Sequence, residues 1–457
     1  MKLKVNAKLD PQFQPLSIVC RNMREATKDN GQDIIIGIER NKGYTYTYKT
    51  RIFPDGTGHD EENFKFIERI VKSLLWVAGG FKVIIAGSTV VGEKIKEAYT
   101  YGGLRDFDVH FMERVYEEKF IVELRSIEDA PKDKSAAAPI GRHLDGCRIG
   151  FDAGGSDRKV SAVVNGESVY SEEVVWFPKI NSDPDYHYQG ILDAMKTAAS
   201  HMPRVDAIGV SSAGVYVDNR IMVASLFLKV SDEEFDKKVK NMYLDVAKEI
   251  GADIPIEVAN DGDVTALAGA MDLNDDSVLG VAMGTSEAGG YVDPDGNITG
   301  WLNELAFVPV DFCENAMVDE WSGDYGCGVK YFSQDGVIKL APFANIDIDE
   351  SLSPAEKLKV VQGLMEKGDQ RAADIYDTIG AYFGYAIAYY TEFYDIKHVL
   401  IMGRVTSGEG GVILLERAQE VLDKEFPELA KKIELHIPDE SSRRVGQSVA
   451  AASLPKI

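Results

Sequence analysis

The sequence predicts an α/β protein built of two lobes of related construction, preceded by a smaller α/β block. Three observations carry that expectation. Strand-like apolar runs alternate with helix-like ones along most of the chain. Residues 147–176 and 277–300 share one design: a strand, a glycine turn, a returning strand, and then an Asn-Gly or Asp-Gly hairpin. Between the first block and the rest, DAPKDKSAAAPIG is rich in Ala, Pro, Lys and Asp and lacks periodic apolar residues, as a linker does.

The chain has 457 residues, too many for one ordinary domain, and its 45% apolar and 27% charged residues are those of a globular protein. A net charge of −24 argues against nonspecific attraction to nucleic acid or to an anionic membrane. It leaves open an anionic small substrate held by local amides and a metal ion. The opening MKLKVNAKLDPQFQ lacks the apolar core of a signal peptide. Charges and glycines interrupt the most apolar stretch, VKSLLWVAGGFKVIIAG, so no membrane span is expected. Four cysteines (Cys20, Cys147, Cys313, Cys327) lie far apart without CxxC spacing. They point away from a disulfide framework and toward a reducing cytoplasm.

In chain order, DIIIGIER and GYTYTYKTRIF read as strands joined by an Asn-Lys-Gly turn. EENFKFIERIVKSLLW follows as a helix, with Phe64, Ile67, Ile70, Val71, Leu74 and Leu75 at helical spacing. KVIIAG, GEKIKEAY and KFIVELRS complete the block as strand, helix and strand. After CRIGFDAGGSDRKVSAVVNGESVYSEEVVW come a helix (YQGILDAMKTAASHM), a buried strand (VDAIGVSSAG), a long helix (EEFDKKVKNMYLDVAKEIG) and the strand-loop-helix IEVANDGDVTALAG. The boundaries drawn are an N-terminal domain over 1–130, a linker over 131–145, and lobes over 146–275 and 276–442. A C-terminal helix over 443–457 returns to the first lobe.

Chemistry concentrates in four places. Glycine-rich tips at DAGGSD (Asp152–Asp157) and MGTSEAGG (Met283–Gly290) let backbone amides approach phosphate oxygens, at Gly154, Gly155 and Gly284. The hydroxyls of Ser156, Thr285 and Ser286 add donors. Asp152, at a strand end, is placed to hold Mg²⁺ through water, because magnesium takes oxygen ligands and keeps part of its hydration shell. HVLIMGRVTSGEGG runs from a strand through Gly403 and Arg404 into a helix and suits a nucleotide base or ribose. The pair Asn260-Asp261 ends an apolar strand and opens a helix; as a turn and N-cap it has a structural use as well as a chemical one. Neither GxxxxGK[ST] nor GxGxxG is present.

In this order the motifs resemble the ROK family (repressors, open reading frames and sugar kinases) of the actin, hexokinase and heat-shock ATPase superfamily. IGFDAGGSDRKVSAVV and LGVAMGTSEAGGYV resemble its two phosphate hairpins, and GVSSAGV its glycine strand. VANDGDVTALAG resembles its catalytic loop, GNITGWLNELAF its sugar-binding segment, and VLIMGRVTSGEGG its adenosine loop. The resemblance covers roughly residues 146–457. It implies two ribonuclease H-like (actin-like ATPase) lobes around a cleft, with the additional N-terminal α/β domain outside it. It further implies ATP and Mg²⁺ as cofactors, a sugar or sugar-like substrate, Asp261 as general base on a sugar hydroxyl, and Asn260 and Glu304 as substrate ligands. A cytoplasmic homodimer is expected. A repressor is not, because the first block opens with strands and carries no basic helix.

The chain departs from the family at several positions. Phe307 stands where Glu-x-x-His places histidine, and Val329 where a second sugar-binding Glu is usual. Of the cysteine-rich zinc loop only Cys327 is kept, so no zinc site is expected there. Arg404 replaces a glycine in the adenosine loop. These departures keep two functions in view: an ATP-dependent kinase of a hydroxylated metabolite, and a non-catalytic ligand or nucleotide sensor.

Overall fold

The computed structural model describes residues 2–134, 140–438 and 440–457, the side chains of 440–445 excepted. Of the predicted linker, residues 135–139 therefore lie outside the described residues. The chain forms two compact units. Unit 1 comprises Met1–Ala136, Val281–Gly289 and Trp301–Ile437; unit 2 comprises Ala137–Gly280, Gly290–Gly300 and Pro438–Ile457. The N-terminal block, drawn from sequence as its own domain, thus shares a unit with most of the second lobe.

Unit 1 begins with α1 (Leu16–Ala26), β1 (Gln32–Arg40), β2 (Tyr44–Ile52), α2 (Asp60–Ala78), β3 (Lys82–Ala86), α3 (Thr89–Ala98), α4 (Asp106–Tyr116) and β4 (Ile121–Arg125). Helices α1 and α4 are additions to the elements read from sequence. The four strands form one sheet in the order β2-β1-β3-β4, with β1 antiparallel to both neighbours and β3 parallel to β4. From Phe66 to Ala78 every residue of α2 is buried, Glu68, Arg69 and Lys72 included. A helix buried all round needs its charges matched internally. Arg69 meets Asp324 at 2.9 Å and Glu68 at 2.7 Å; Lys72 meets Asp108 at 3.1 Å and Asp324 at 3.3 Å. Arg105 completes the cluster, reaching Asp324 at 2.8 Å and also Glu68. Three cations face three carboxylates, so the cluster is neutral.

Unit 2 holds β5 (Cys147–Ala153), β6 (Asp157–Val164), β7 (Glu167–Val175), α5 (Pro184–Ser200), β8 (Ala207–Ser212), β9 (Val215–Val217), β10 (Arg220–Val223), α6 (Asp232–Glu234), α7 (Met242–Ile250), β11 (Ile256–Asn260) and α8 (Asp261–Leu273). Its sheet runs β11-β8-β5-β6-β7: β5, β8 and β11 are parallel, and β6 and β7 fold back antiparallel. Phe151, Ile208 and Val210 from the sheet pack with Ile191 and Met195 of α5 and Val246 of α7. The single helix predicted over EEFDKKVKNMYLDVAKEIG is instead three pieces. A π-turn at Phe235–Val239 separates α6 from α7, and the Lys240 carbonyl accepts the Ile221 amide of β10 rather than continuing a helical ladder.

The chain continues through β12 (Val278–Met283), β13 (Glu287–Val292), α9 (Gln334–Leu340), α10 (Pro354–Met365), α11 (Gln370–Tyr390), β14 (His398–Met402), α12 (Glu409–Glu425), α13 (Pro427–Ala430) and β15 (Glu434–His436), to α14 (Glu440–Ala452). The last four strands form a sheet in the order β13-β12-β14-β15. Helix α14 returns to unit 2 and lies against β5, β8 and α8. Two glycines make that approach possible: a Cβ at Gly150 would overlap the Ser448 carbonyl, and one at Gly209 the Ala451 carbonyl.

Candidate active site

In unit 2 the register of the parallel strands decides which side chains meet. Asp152 on β5 lies opposite Ser211 on β8, and Ser212 lies opposite Asn260 on β11, so three strand ends deliver their last residues to one edge. Asp152 is 7% exposed. Its Oδ1 accepts the Ser211 hydroxyl at 2.8 Å, and Lys159 Nζ stands 3.9 Å from Oδ2. Burial pushes the Asp152 carboxyl up to about 6; the Ser211 hydrogen bond and Lys159 oppose that, and the neighbouring Asp261 carboxylate adds to it. The two acids are therefore electrostatic neighbours.

Asp261 is the first residue of α8. Its carboxyl is also raised above the ordinary aspartate value, chiefly by desolvation, against backbone hydrogen bonds from Gly262 and Asp261 and the nearby charge of Lys179. The Asn260 side chain caps the helix: its Oδ1 accepts the Gly262 amide at 2.8 Å, and its Nδ2 donates to the Gly214 carbonyl at 2.7 Å. The N-cap use and the position beside Asp152 thus coexist.

The first glycine tip, Gly154–Ser156, is braced from behind. Trp176, fully buried, donates its indole N–H to the Gly154 carbonyl at 2.8 Å, and its amide donates to the Ser156 carbonyl. Trp176 is thus a support for the tip. The exposed Lys179 lies over Gly155, where an added Cβ would come within 3.0 Å of its Nζ. Gln447 of α14 donates to Ser211 Oγ at 3.2 Å and to the Asp261 carbonyl at 3.4 Å, linking the strand end to the helix start. Sequence reasoning missed both residues. Lys179 sits in a Pro-Lys turn that reads as ordinary loop, and Gln447 is one polar residue on a helix without a motif.

In unit 1 the second glycine tip brings Thr285 and Ser286 to the surface, while the Gly284 amide closes on the Ser286 carbonyl at 3.0 Å. Gly403 follows β14 with φ of 102°, and a Cβ there would overlap the Met283 backbone. The second tip and the Gly403 turn are therefore in contact. Arg404 is exposed, and its carbonyl accepts Gln362 Nε2 at 2.7 Å.

Glu304 lies beside the returning strand β13, where an added Cβ at Gly289 would meet Asn303 and Leu305, and its amide donates to the Trp76 carbonyl at 2.9 Å. Phe307 packs on Trp76 at 4.3 Å and on Phe107 at 5.6 Å. The segment read as sugar-binding is thus built against α2 and α4 of the N-terminal block. Near it lies a residue no motif singled out, Glu287. It is 3% exposed, and burial first, then Glu304, push its carboxyl up to about 8, opposed only by a hydrogen bond from Tyr390. Cys327 is buried beside Asp324 of the ion cluster, and burial raises its thiol to about 12. All four cysteines are free and buried.

No protein-family model matches the sequence, and no curated protein matches it. Solved structures do. A ROK hexokinase from Thermus thermophilus superposes with a TM-score of 0.52 at 18% identity, over 67% of this chain and 96% of that one. A ROK-family transcriptional regulator, a homologue of the E. coli MLC protein, superposes with a TM-score of 0.50 at 17% identity, over 68% of this chain and 79% of that one. The chain has the ROK fold. That α/β fold is the one the motif order implied. It is shared by a sugar kinase and by a regulator, so the ROK fold alone leaves both activities in play. Among the described residues, no helix is long and apolar enough to cross a membrane.

Proposed function

We propose that the protein is an ATP-dependent phosphotransferase acting on a hydroxyl of a sugar or sugar-like metabolite, with Asp261 as general base. The observation that carries this reading is the pairing in unit 2 of two desolvated carboxyls, Asp152 and Asp261, beside a glycine tip under a lysine. Raised above the ordinary aspartate value, Asp261 is a stronger proton acceptor than the free side chain, as removal of a proton from a sugar hydroxyl requires.

The residues fit the group they would hold. Gly154, Gly155 and Ser156 offer amides and a hydroxyl to phosphate oxygens, with Lys179 as a countercharge. Asp152 offers a carboxylate to Mg²⁺ through water. Bound Mg²⁺ supplies charge neutralisation on the phosphates. In unit 1, Gly284, Thr285 and Ser286 are assigned to phosphate as well, and Gly403 and Arg404 to the adenosine. Asn260, whose amide keeps one further N–H, and Glu304 are assigned to the substrate. The same reading takes the protein as a cytoplasmic homodimer with no nucleic-acid or membrane partner.

Replacing Asp261 by Asn tests it. A general base contributes about 10²–10⁴-fold to rate, so turnover falls by that factor while ATP still binds in calorimetry; unchanged turnover refutes the assignment. One observation favours a second reading, a ligand sensor without catalysis: Phe307, in place of the family's histidine, is committed to a tilted aromatic cluster with Trp76 and Phe107. A coupled ATPase screen over sugars, amino sugars and polyols with Mg²⁺ separates the two. Stimulated hydrolysis selects the kinase, and ligand-dependent thermal shifts without turnover select the sensor.

A further inference from the structure

Far along unit 1, at the strand starts opposite the Gly403 turn, two imidazoles and a carboxylate converge. His398 opens β14; Glu434 and His436 lie on the edge strand β15. The strands are parallel with His398 opposite Glu434 and Leu400 opposite His436, so all three side chains leave the sheet on one face. His398 Nδ1 and His436 Nε2 are 3.0 Å apart, and Glu434 Oε2 stands 4.0 Å and 3.9 Å from them. One potential ligand atom from each residue falls within 4.8 Å of the others, and among the described residues no other group of three does so.

We propose that His398, Glu434 and His436 form a binding site for a divalent late first-row transition ion, with Zn²⁺ as its representative. Two nitrogens each about 2.0–2.1 Å from zinc are separated by about 2.9 Å at a right angle and about 3.4 Å at the tetrahedral angle. The observed 3.0 Å lies in that interval before any ion arrives. Glu434 is 72% exposed, so its carboxylate closes the remaining gap by a rotamer change in solvent. Nitrogen-rich ligation selects zinc and its neighbours over magnesium, which takes an all-oxygen shell.

The site is separate from the cysteine loop that bears zinc in the family and from the proposed phosphotransfer residues. Its chemistry is structural. Three ligands from two neighbouring strands tie the three-residue edge strand β15 to β14, and an ion bound only by the folded state stabilises it.

The test is zinc titration of the full chain after chelator treatment, followed by calorimetry, thermal unfolding and the visible spectrum of the Co²⁺ form. One equivalent binds and raises Tm, and the Co²⁺ spectrum shows no thiolate charge-transfer band. His436→Ala and Glu434→Gln each weaken binding by at least about tenfold, since removing a direct ligand costs no less than removing its supporting partner. Both positions lie at the sheet edge, and circular dichroism confirms that the variants fold. Absence of binding, binding undiminished in both variants, or a thiolate band each overturns the proposal, leaving the pair as an N–H···N hydrogen bond between two histidines.

Discussion

Replacing Glu287 by glutamine removes a buried titratable group from unit 1. The Tyr390 hydroxyl donates to Oε1 at 3.3 Å, while Oε2 is buried without a hydrogen-bond partner among the described residues. A carboxyl raised from 4.5 to about 8 in the folded chain holds its proton longer there than in the unfolded chain. Between those pH values the native state binds more protons, so stability falls as pH rises through the window and levels off above it. At 1.36 kcal/mol per pH unit, the span corresponds to about 5 kcal/mol, large against typical domain stabilities of about 5–15 kcal/mol. Glutamine keeps an acceptor for Tyr390, adds a neutral amide and does not titrate. Urea unfolding of the two proteins, followed by circular dichroism from about pH 5 to pH 9, should give near-equal midpoints at the acid end and an increasing advantage for the variant toward the alkaline end. Parallel pH dependences across that range would show that Glu287 is not held neutral, and the desolvation argument would fail.

Substitution of Asp324 by Ala leaves Arg69, Lys72 and Arg105 facing only Glu68 and Asp108; an uncompensated buried charge of this kind costs about 3–5 kcal/mol, read as a lowered Tm of the full chain. Changing exposed Lys179 to Ala should alter stability by no more than about 0.5 kcal/mol while weakening ATP binding in calorimetry; unchanged affinity would remove Lys179 from the phosphate site.

What the sequence disclosed follows from locality. The strand ends carrying Asp152 and Asn260-Asp261 are each marked by an apolar run, a small-residue turn and a helix start within a few residues. Their meeting then follows from parallel pairing. The second tip and the Gly403 turn were readable for the same reason, since glycine is required where one backbone crosses another. The ion cluster was not readable. Glu68, Arg69 and Lys72 punctuate α2 like charges on a solvated face, and their partners Arg105, Asp108 and Asp324 are up to 255 residues away. Glu287 was hidden because one acid in a glycine-rich strand carries no period. The N-terminal block looked separate because its own four-stranded sheet is complete, whereas Arg69 and Lys72 of α2 also reach Asp324, far along the chain.

The glycine notches at 150 and 209 also bear on how the molecule is made. They receive a helix whose Ser448 hydroxyl bonds Ser161 across 287 positions of chain. A growing polypeptide therefore presents β5 and β8 long before their cover exists. Contacts of such separation form late and slowly, and until then Arg148, Ser161 and the two glycines of that face stand without their cover. Damage to α14 should accordingly slow the folding of unit 2 and, through Gln447, loosen the strand end and helix start that carry Asp152 and Asp261.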